Sequence, residues 1–293
     1  MKEEGYMKYC KIGTITLLFW CCILSVAAKS PRIVKNINYV DSSASDFNKD
    51  AHVLDVYLPL RKIKESKVFV FIHGGAWQKG TKDSPRHIAV GKAFSNNGMV
   101  VVVINYRIQS GTKYYDMASD CARAITWVEN NIAQYGGNKN EIYVSGHSSG
   151  AHLAALVSTD STYLMNAGFQ NSIKGCILND PFGLDMLDYM GHGNFVDVGI
   201  FESIFTILPS EWKNGSPYHH IHKDDIKYYT IIGGKTMDEV KKCSVQFHER
   251  SRFVGNLSHL HVVKWRTHIP MLNLFCNKRN NELKKILVYI GVK

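Results

Sequence analysis

The chain has 293 residues, 45% of them apolar and 20% charged, with only 7 prolines. That composition excludes collagen-like, low-complexity and largely disordered classes and supports one large core. Lys and Arg outnumber Asp and Glu by 35 to 25, a formal net charge of +10. The excess favours association with anionic surfaces, but the basic residues are scattered and form no reader motif, so nucleic acid is not an expected partner.

In chain order, Lys8 and Lys11 precede an apolar stretch running to Ala28, which Gly13, Thr14, Thr16 and Ser25 interrupt. The stretch is short for a membrane-spanning helix, and Val26-Ala27-Ala28 offers small residues for cleavage. Residues 1–28 therefore read as a signal peptide, with a secreted or periplasmic product. The competing reading is an uncleaved N-terminal anchor, the one case in which a membrane would be a partner. Residues 29–293 read as one α/β domain carrying a cap insertion at about 184–226.

Ile33 to Val40 and His52 to Leu58 are expected to open the domain as a hairpin. Lys67 to Ile72 and Met99 to Ile104 are continuous apolar runs, the pattern of strands covered on both faces. A helix over Ser84 to Asn96 separates them. The next helix starts near Tyr115, with Met117, Cys121, Ala124, Ile125, Val128 and Ile132 on one stripe. Glu141 to Ser145 is a strand, Ala151 to Ser158 a helix and Ile173 to Leu178 another strand. After the cap, Tyr228 to Ile232 and Ser258 to Lys264 complete the sheet, with a helix between them and a terminal helix over Glu282 to Tyr289. Strands alternating with helices predict a mostly parallel central sheet with helices on both faces. Cys121, Cys176, Cys243 and Cys276 lack metal-site spacing; free thiols suffice in a core of this size, and disulfides are allowed but not required.

Gly146-His147-Ser148-Ser149-Gly150 matches G-x-S-x-G, follows a strand and opens a helix. This is the setting of a sharp turn that pushes the central serine out at the carboxyl edge of a sheet. The bland reading is a glycine-bounded helix cap with Ser148 or Ser149 as the capping residue. His73-Gly74-Gly75-Ala76-Trp77 leaves the neighbouring strand at the same edge. The N–H groups of Gly74, Gly75 and Ala76, with that of Ser149, are candidate donors to an oxyanion, each able to lower a barrier by about 3 to 4 kcal/mol.

With these motifs, Asn105-Tyr106-Arg107 and Ser216-Pro217, the chain from about Val53 onward resembles the α/β-hydrolase superfamily. The likeness is to its small carboxylesterases with an H-G-G-x-W loop, including kynurenine formamidase-like and feruloyl esterase-like groups. The resemblance implies an α/β-hydrolase fold with a small helical cap and hydrolysis of a small-molecule ester or amide through an acyl-enzyme, without metal or cofactor. It makes Ser148 the nucleophile. Trp77 walls the acyl pocket or simply packs, and Tyr106 is a candidate at the substrate pocket. Such a serine needs a base. Among His248, His259, His261 and His268, only His268 lies in a loop beyond the last strand, where the fold delivers its histidine.

The third member departs from the pattern. The resemblance puts an acid where this chain has Thr236, and threonine carries no charge to orient an imidazole. Asp238 and Glu239 lie just downstream in the same loop, and Asp180 or Asp185 could come from the preceding strand's exit. The shortest shift selects Asp238. Loss of the acid would instead leave a slow enzyme or a noncatalytic binding protein. His219, His220 and His222 cluster in the cap, but no H-E-x-x-H or phosphate-cradling glycine motif accompanies them, so no metal or nucleotide cofactor is expected.

Overall fold

The computed structural model describes residues 30–292 apart from 62, 193 and 194; the signal-peptide and anchor readings of residues 1–28 lie outside them. The chain forms β1 (Ile33–Asn38), β2 (Val53–Tyr57), β3 (Ser66–Ile72), α1 (Pro85–Ser95), β4 (Val100–Ile104), α2 (Tyr114–Asn131), β5 (Gly137–His147), α3 (Ser149–Thr159) and α4 (Ser161–Asn166). It continues with β6 (Gly175–Asn179), α5 (Met186–His192), α6 (Phe195–Phe205), α7 (Pro209–Asn214), α8 (Pro217–His220), β7 (Lys227–Gly233), α9 (Asp238–Phe253), β8 (Ser258–Val263), α10 (His268–Leu272) and α11 (Asn281–Tyr289).

Among the described residues, eight strands form one sheet in the order β1-β2-β4-β3-β5-β6-β7-β8. β1 and β2 pair antiparallel, β2 also runs antiparallel to β4, and the remaining pairs are parallel. Alternation along the strands sends two sets of side chains to two cores. Val68, Val70, Ile72, Val100, Val102 and Ile104 pack with α2 and α3, while Phe69, Phe71, Val101 and Val103 pack with α1 and α11. All of these strand residues are buried. At about 1.5–3 kcal/mol for each such side chain removed from water, β3 and β4 become a rigid platform whose carboxyl ends hold fixed positions.

Those ends carry the loops that matter. Parallel pairing of β3, β5, β6, β7 and β8 brings the segments after Ile72, His147, Asn179, Gly233 and Val263 to one edge of the sheet. The insertion between β6 and β7 is helical, α5 to α8, and it is anchored rather than loose. Ser216 Oγ accepts from the Met186 and Leu187 amides at 2.7 and 3.1 Å and donates to the Trp212 carbonyl at 2.6 Å. Tyr114 on α2 donates to Glu211 at 2.9 Å. Cys121, Cys176, Cys243 and Cys276 are free thiols. Among the described residues, no helix is long and apolar enough to cross a membrane.

Candidate active site

Ser148 sits between the end of β5 and the start of α3 with φ 57° and ψ −125°, a backbone conformation that is strained for any L-residue. The glycines two residues away on either side make the bend feasible. A Cβ on Gly146 would stand 2.3 Å from the carbonyl of Gly150, and one on Gly150 would stand 2.3 Å from the Ile72 oxygen and 2.4 Å from that of His73. Strand, helix and the neighbouring strand's exit therefore pack backbone to backbone, leaving Ser148 only partly covered.

His268 opens α10 instead of lying in an extended loop, and its ring reaches the serine. His268 Nε2 is 2.8 Å from Ser148 Oγ, and Nδ1 is 2.6 Å from Asp180 Oδ2. A carboxylate only accepts, so Nδ1 carries the hydrogen and Nε2 offers its lone pair to the serine hydroxyl. The histidine backbone is held as well, because His147 Nε2–H donates to the His268 carbonyl at 3.1 Å. Burial first, and the adjacent His268 second, push the His147 pKa down to about 4, so this neighbour stays neutral and adds no positive charge beside the base.

The expectation that Asp238 partners His268 is not met. Asp238 is the first residue of α9, where a carboxylate is favoured by the helix dipole; its side chain is 92% exposed and pairs with Lys241 at 2.9 Å. Asp180, at the exit of β6, takes the place. It is fully buried, has φ 48°, and accepts at Oδ1 from the Gly233 N–H at 2.7 Å. Its Oδ2, the oxygen facing His268, also accepts from the Thr236 hydroxyl. The residue that looked like a missing acid is thus a donor to the acid's replacement. Neither Asp185 nor Glu239 reaches His268: Asp185 accepts from the Asp188 amide at 3.0 Å and faces His219 at 3.3 Å, and Glu239 is exposed on α9.

The loop after β3 lies against the elbow. A Cβ on Gly74 would come within 2.5 Å of the His147 oxygen and 3.2 Å of Ser148 Cβ. Gly75, Ala76 and Trp77 all have positive φ, at 135°, 54° and 58°, and the loop is closed by the Gln78 and Lys79 amides donating to the Gly75 carbonyl at 3.1 Å each. Among the described residues the amides of Gly74, Gly75, Ala76 and Ser149, the four expected oxyanion donors, have no protein acceptor.

Trp77 and Tyr106, expected at the substrate pocket, are each 1% exposed and present no surface to a substrate. Both support the loop. Tyr106 donates to the His73 carbonyl at 2.9 Å and stacks on the His73 ring at 4.4 Å. Trp77 packs edge-on against Phe201, Phe205 and Phe182, and its Nε1–H donates to His152 Nδ1 at 3.3 Å. His152 Nε2 in turn meets the Gly215 carbonyl at 2.7 Å, which links the loop, α3 and the cap. Burial takes the pKa of His73 down to about 3 and that of His152 to about 4, keeping both neutral in this shell.

A cavity of about 370 Å³ opens between α5, α9 and the loop after Asp180, lined by Phe182, Tyr189, Asp185, Asp188, Asp238 and Glu239 among others. Sequence reasoning did not anticipate it, since its walls come from the cap and from α9. Neither Ser148 nor His268 lines it; the nearest link is Phe182, whose amide donates to the Ser148 carbonyl at 3.4 Å.

Comparison with known proteins agrees with this architecture. Residues 54–198 match the BD-FAE family, a span that holds the Gly74 loop, Ser148 and Asp180 and stops short of Thr236 and His268. A probable isoprenylcysteine alpha-carbonyl methylesterase of Oryza sativa subsp. japonica is 32% identical over 169 residues, 56% of this chain and 40% of that protein. Kynurenine formamidase of Danio rerio is 39% identical over 110 residues, 37% of this chain and 36% of that one. The chain therefore spans well under two thirds of these relatives. Among solved structures, a truncated carbohydrate esterase from gut microbiota superposes with a TM-score of 0.75 at 22% identity, covering 90% of this chain and 98% of that one. The fold is that of the α/β-hydrolases.

Proposed function

We propose that this chain, an α/β-hydrolase related to the BD-FAE and carboxylesterase groups, is a serine carboxylic ester hydrolase acting through an acyl-enzyme on a small or medium acyl ester. One observation carries the reading: Ser148 Oγ, His268 and Asp180 form a continuous line of hydrogen bonds, 2.8 Å on one side of the imidazole and 2.6 Å on the other. As Ser148 attacks the carbonyl carbon, His268 Nε2 takes its proton. The imidazolium so formed faces the buried Asp180 carboxylate, which stabilises it. The carbonyl oxygen becomes an oxyanion and takes hydrogen bonds from among the free amides of Gly74, Gly75, Ala76 and Ser149. His268 then gives its proton to the departing alcohol. Water, deprotonated by the same nitrogen, attacks the acyl carbon and restores Ser148.

The cavity beside Phe182 has room for a small or medium group of the ester. A formamide or other amide substrate is the second reading, favoured by the 39% identity to a kynurenine formamidase. Both use the same steps and differ in the leaving group His268 protonates. Export from the cytoplasm is proposed on the residue pattern of Lys8 to Ala28 alone.

The test is hydrolysis of p-nitrophenyl butyrate compared with the matching anilide and with a formamide. Ester turnover that His268→Ala abolishes supports the proposal. Folded wild-type protein that hydrolyses none of these, while binding small ligands, would return the chain to the noncatalytic reading.

A further inference from the structure

Next to His268, the loops leaving β7 and β8 are tied to each other. The Lys235 amide donates to the Arg266 carbonyl and the Gly234 amide to the Val263 carbonyl, each at 2.8 Å. Together they present Met237, Trp265 and Ile269, which are 38%, 76% and 54% exposed, beside Thr236 and His268. Trp265 is the anomaly. Its φ of 64° is left-handed, a conformation unfavourable for a bulky side chain, and the fold gains no burial in return.

Cations gather on the tryptophan of this rim. Lys235 Nζ stands 4.7 Å from the Trp265 ring centroid, and Lys264 and Arg266 flank the tryptophan, both exposed. The nearest carboxylates in sequence, Asp238 and Glu239, are exposed beside Met237 and line the cavity with Asp185 and Asp188; Asp238 is offset by its pair with Lys241 at 2.9 Å. An exposed Trp ringed by Lys and Arg has the chemistry of a lipid headgroup boundary, where the indole body is apolar, its N–H is wet and cations meet phosphate.

We propose that this rim docks on an anionic lipid surface. Trp265, Ile269 and Met237 enter the boundary between headgroups and acyl chains, while Lys235, Lys264 and Arg266 lie against the phosphates. The net charge of +10 draws the chain to such a surface from a distance. Docking in this orientation turns the mouth beside His268 toward esters dissolved in the lipid. The docking itself does not depend on the hydrolase reading.

The full chain is mixed with phosphatidylcholine vesicles, with and without phosphatidylserine, whose acyl chains are brominated. The signal is the fluorescence that Trp265→Phe removes. Phosphatidylserine vesicles are expected to quench it, and added salt to restore it. Replacing Lys235, Lys264 and Arg266 together by Glu is expected to lower partitioning on the order of 100-fold, with hydrolysis of soluble p-nitrophenyl butyrate unchanged. Absence of quenching by phosphatidylserine vesicles, or equal quenching by phosphatidylcholine alone, would overturn the proposal. So would a solution dimer that Trp265→Ala dissociates, because a second copy would then be the occupant. Failure of wild-type protein to hydrolyse the soluble ester speaks against the hydrolase reading and leaves the quenching result standing.

Discussion

Replacing Asp180 by Asn is the sharpest perturbation of the site because it removes a charge and almost no volume. In the native arrangement Asp180 Oδ1 takes the Gly233 N–H at 2.7 Å, and Oδ2 takes both His268 Nδ1–H at 2.6 Å and the Thr236 hydroxyl. An asparagine can keep its oxygen on Gly233, but its NH₂ then faces His268 and donates. The imidazole must answer with an unprotonated Nδ1, which moves its hydrogen to Nε2 and points it at Ser148. The base is lost by tautomer, not by displacement. The equivalent change in a serine protease costs about 10⁴ in turnover, or about 5 kcal/mol of barrier, and the same loss in kcat is expected here. Asp238→Asn should keep kcat within about 2-fold of wild type, because that carboxylate touches neither His268 nor Ser148 and its pair with Lys241 lies at the surface. Steady-state hydrolysis of p-nitrophenyl butyrate by the two variants, with melting curves to show both folded, decides the matter. Asp180→Asn retaining more than about a tenth of wild-type kcat would refute the reasoning, as would an equal loss in Asp238→Asn.

Thr236→Val should lower kcat/KM about 10-fold, since a buried carboxylate oxygen loses a donor worth on the order of 1–3 kcal/mol, while Thr236→Ser restores most of it; equal rates for all three would show the hydroxyl idle. Gly150→Ala should destabilise the fold by about 3 kcal/mol, because its Cβ would meet backbone oxygens at 2.3 and 2.4 Å that cannot swing aside; an unchanged melting temperature would contradict the packing described. Acid should destabilise the protein in two stages. His73, His147 and His152 are pushed by burial to about 3, 4 and 4, below the 6.5 of an unfolded chain, so the unfolded state binds protons first. Their stabilisation is complete above about pH 6.5 and falls with pH, by on the order of 2 kcal/mol each at pH 5. Asp120 adds a loss only below about pH 4: burial raises its pKa, but hydrogen bonds from His52, Arg107 and Arg123 outweigh burial and hold it low. A melting temperature flat from pH 7 to 5 would be inconsistent with neutral buried histidines.

The strands of the sheet were legible because burial on both faces writes itself as continuous apolar runs, such as Val68 to Ile72 and Val100 to Ile104. Ser148 was legible for a local reason: Gly146 and Gly150 are required by backbone contacts within the motif and with the adjoining strand exit. His268 followed from chain order. The acid was not readable in the same way, because both strand exits carry carboxylates and the choice depends on which one the β6–β7 pairing places under His268. Asp180 needs the left-handed backbone after Asn179 and the Gly233 N–H from the next strand, neither of which any spacing announces. Thr236 read alone suggests loss, and only the spatial arrangement makes it a donor. Of the two readings of Trp77, packing is the one the structure holds, and Tyr106 was misplaced, for a related cause. Aromatic residues beside an oxyanion loop suit a pocket wall equally well, and it is the consecutive positive φ values of Gly75, Ala76 and Trp77 that turn the indole inward.

The central claim is that Ser148 becomes covalently acylated with the help of His268. Intact-protein and peptide mass spectrometry after reaction with a fluorophosphonate tests it most directly. One phosphonyl group per chain is expected on the peptide containing Ser148, absent in Ser148→Ala and formed far more slowly in His268→Ala. A folded protein that takes up no label, or takes it up at another residue with Ser148 untouched, would contradict it.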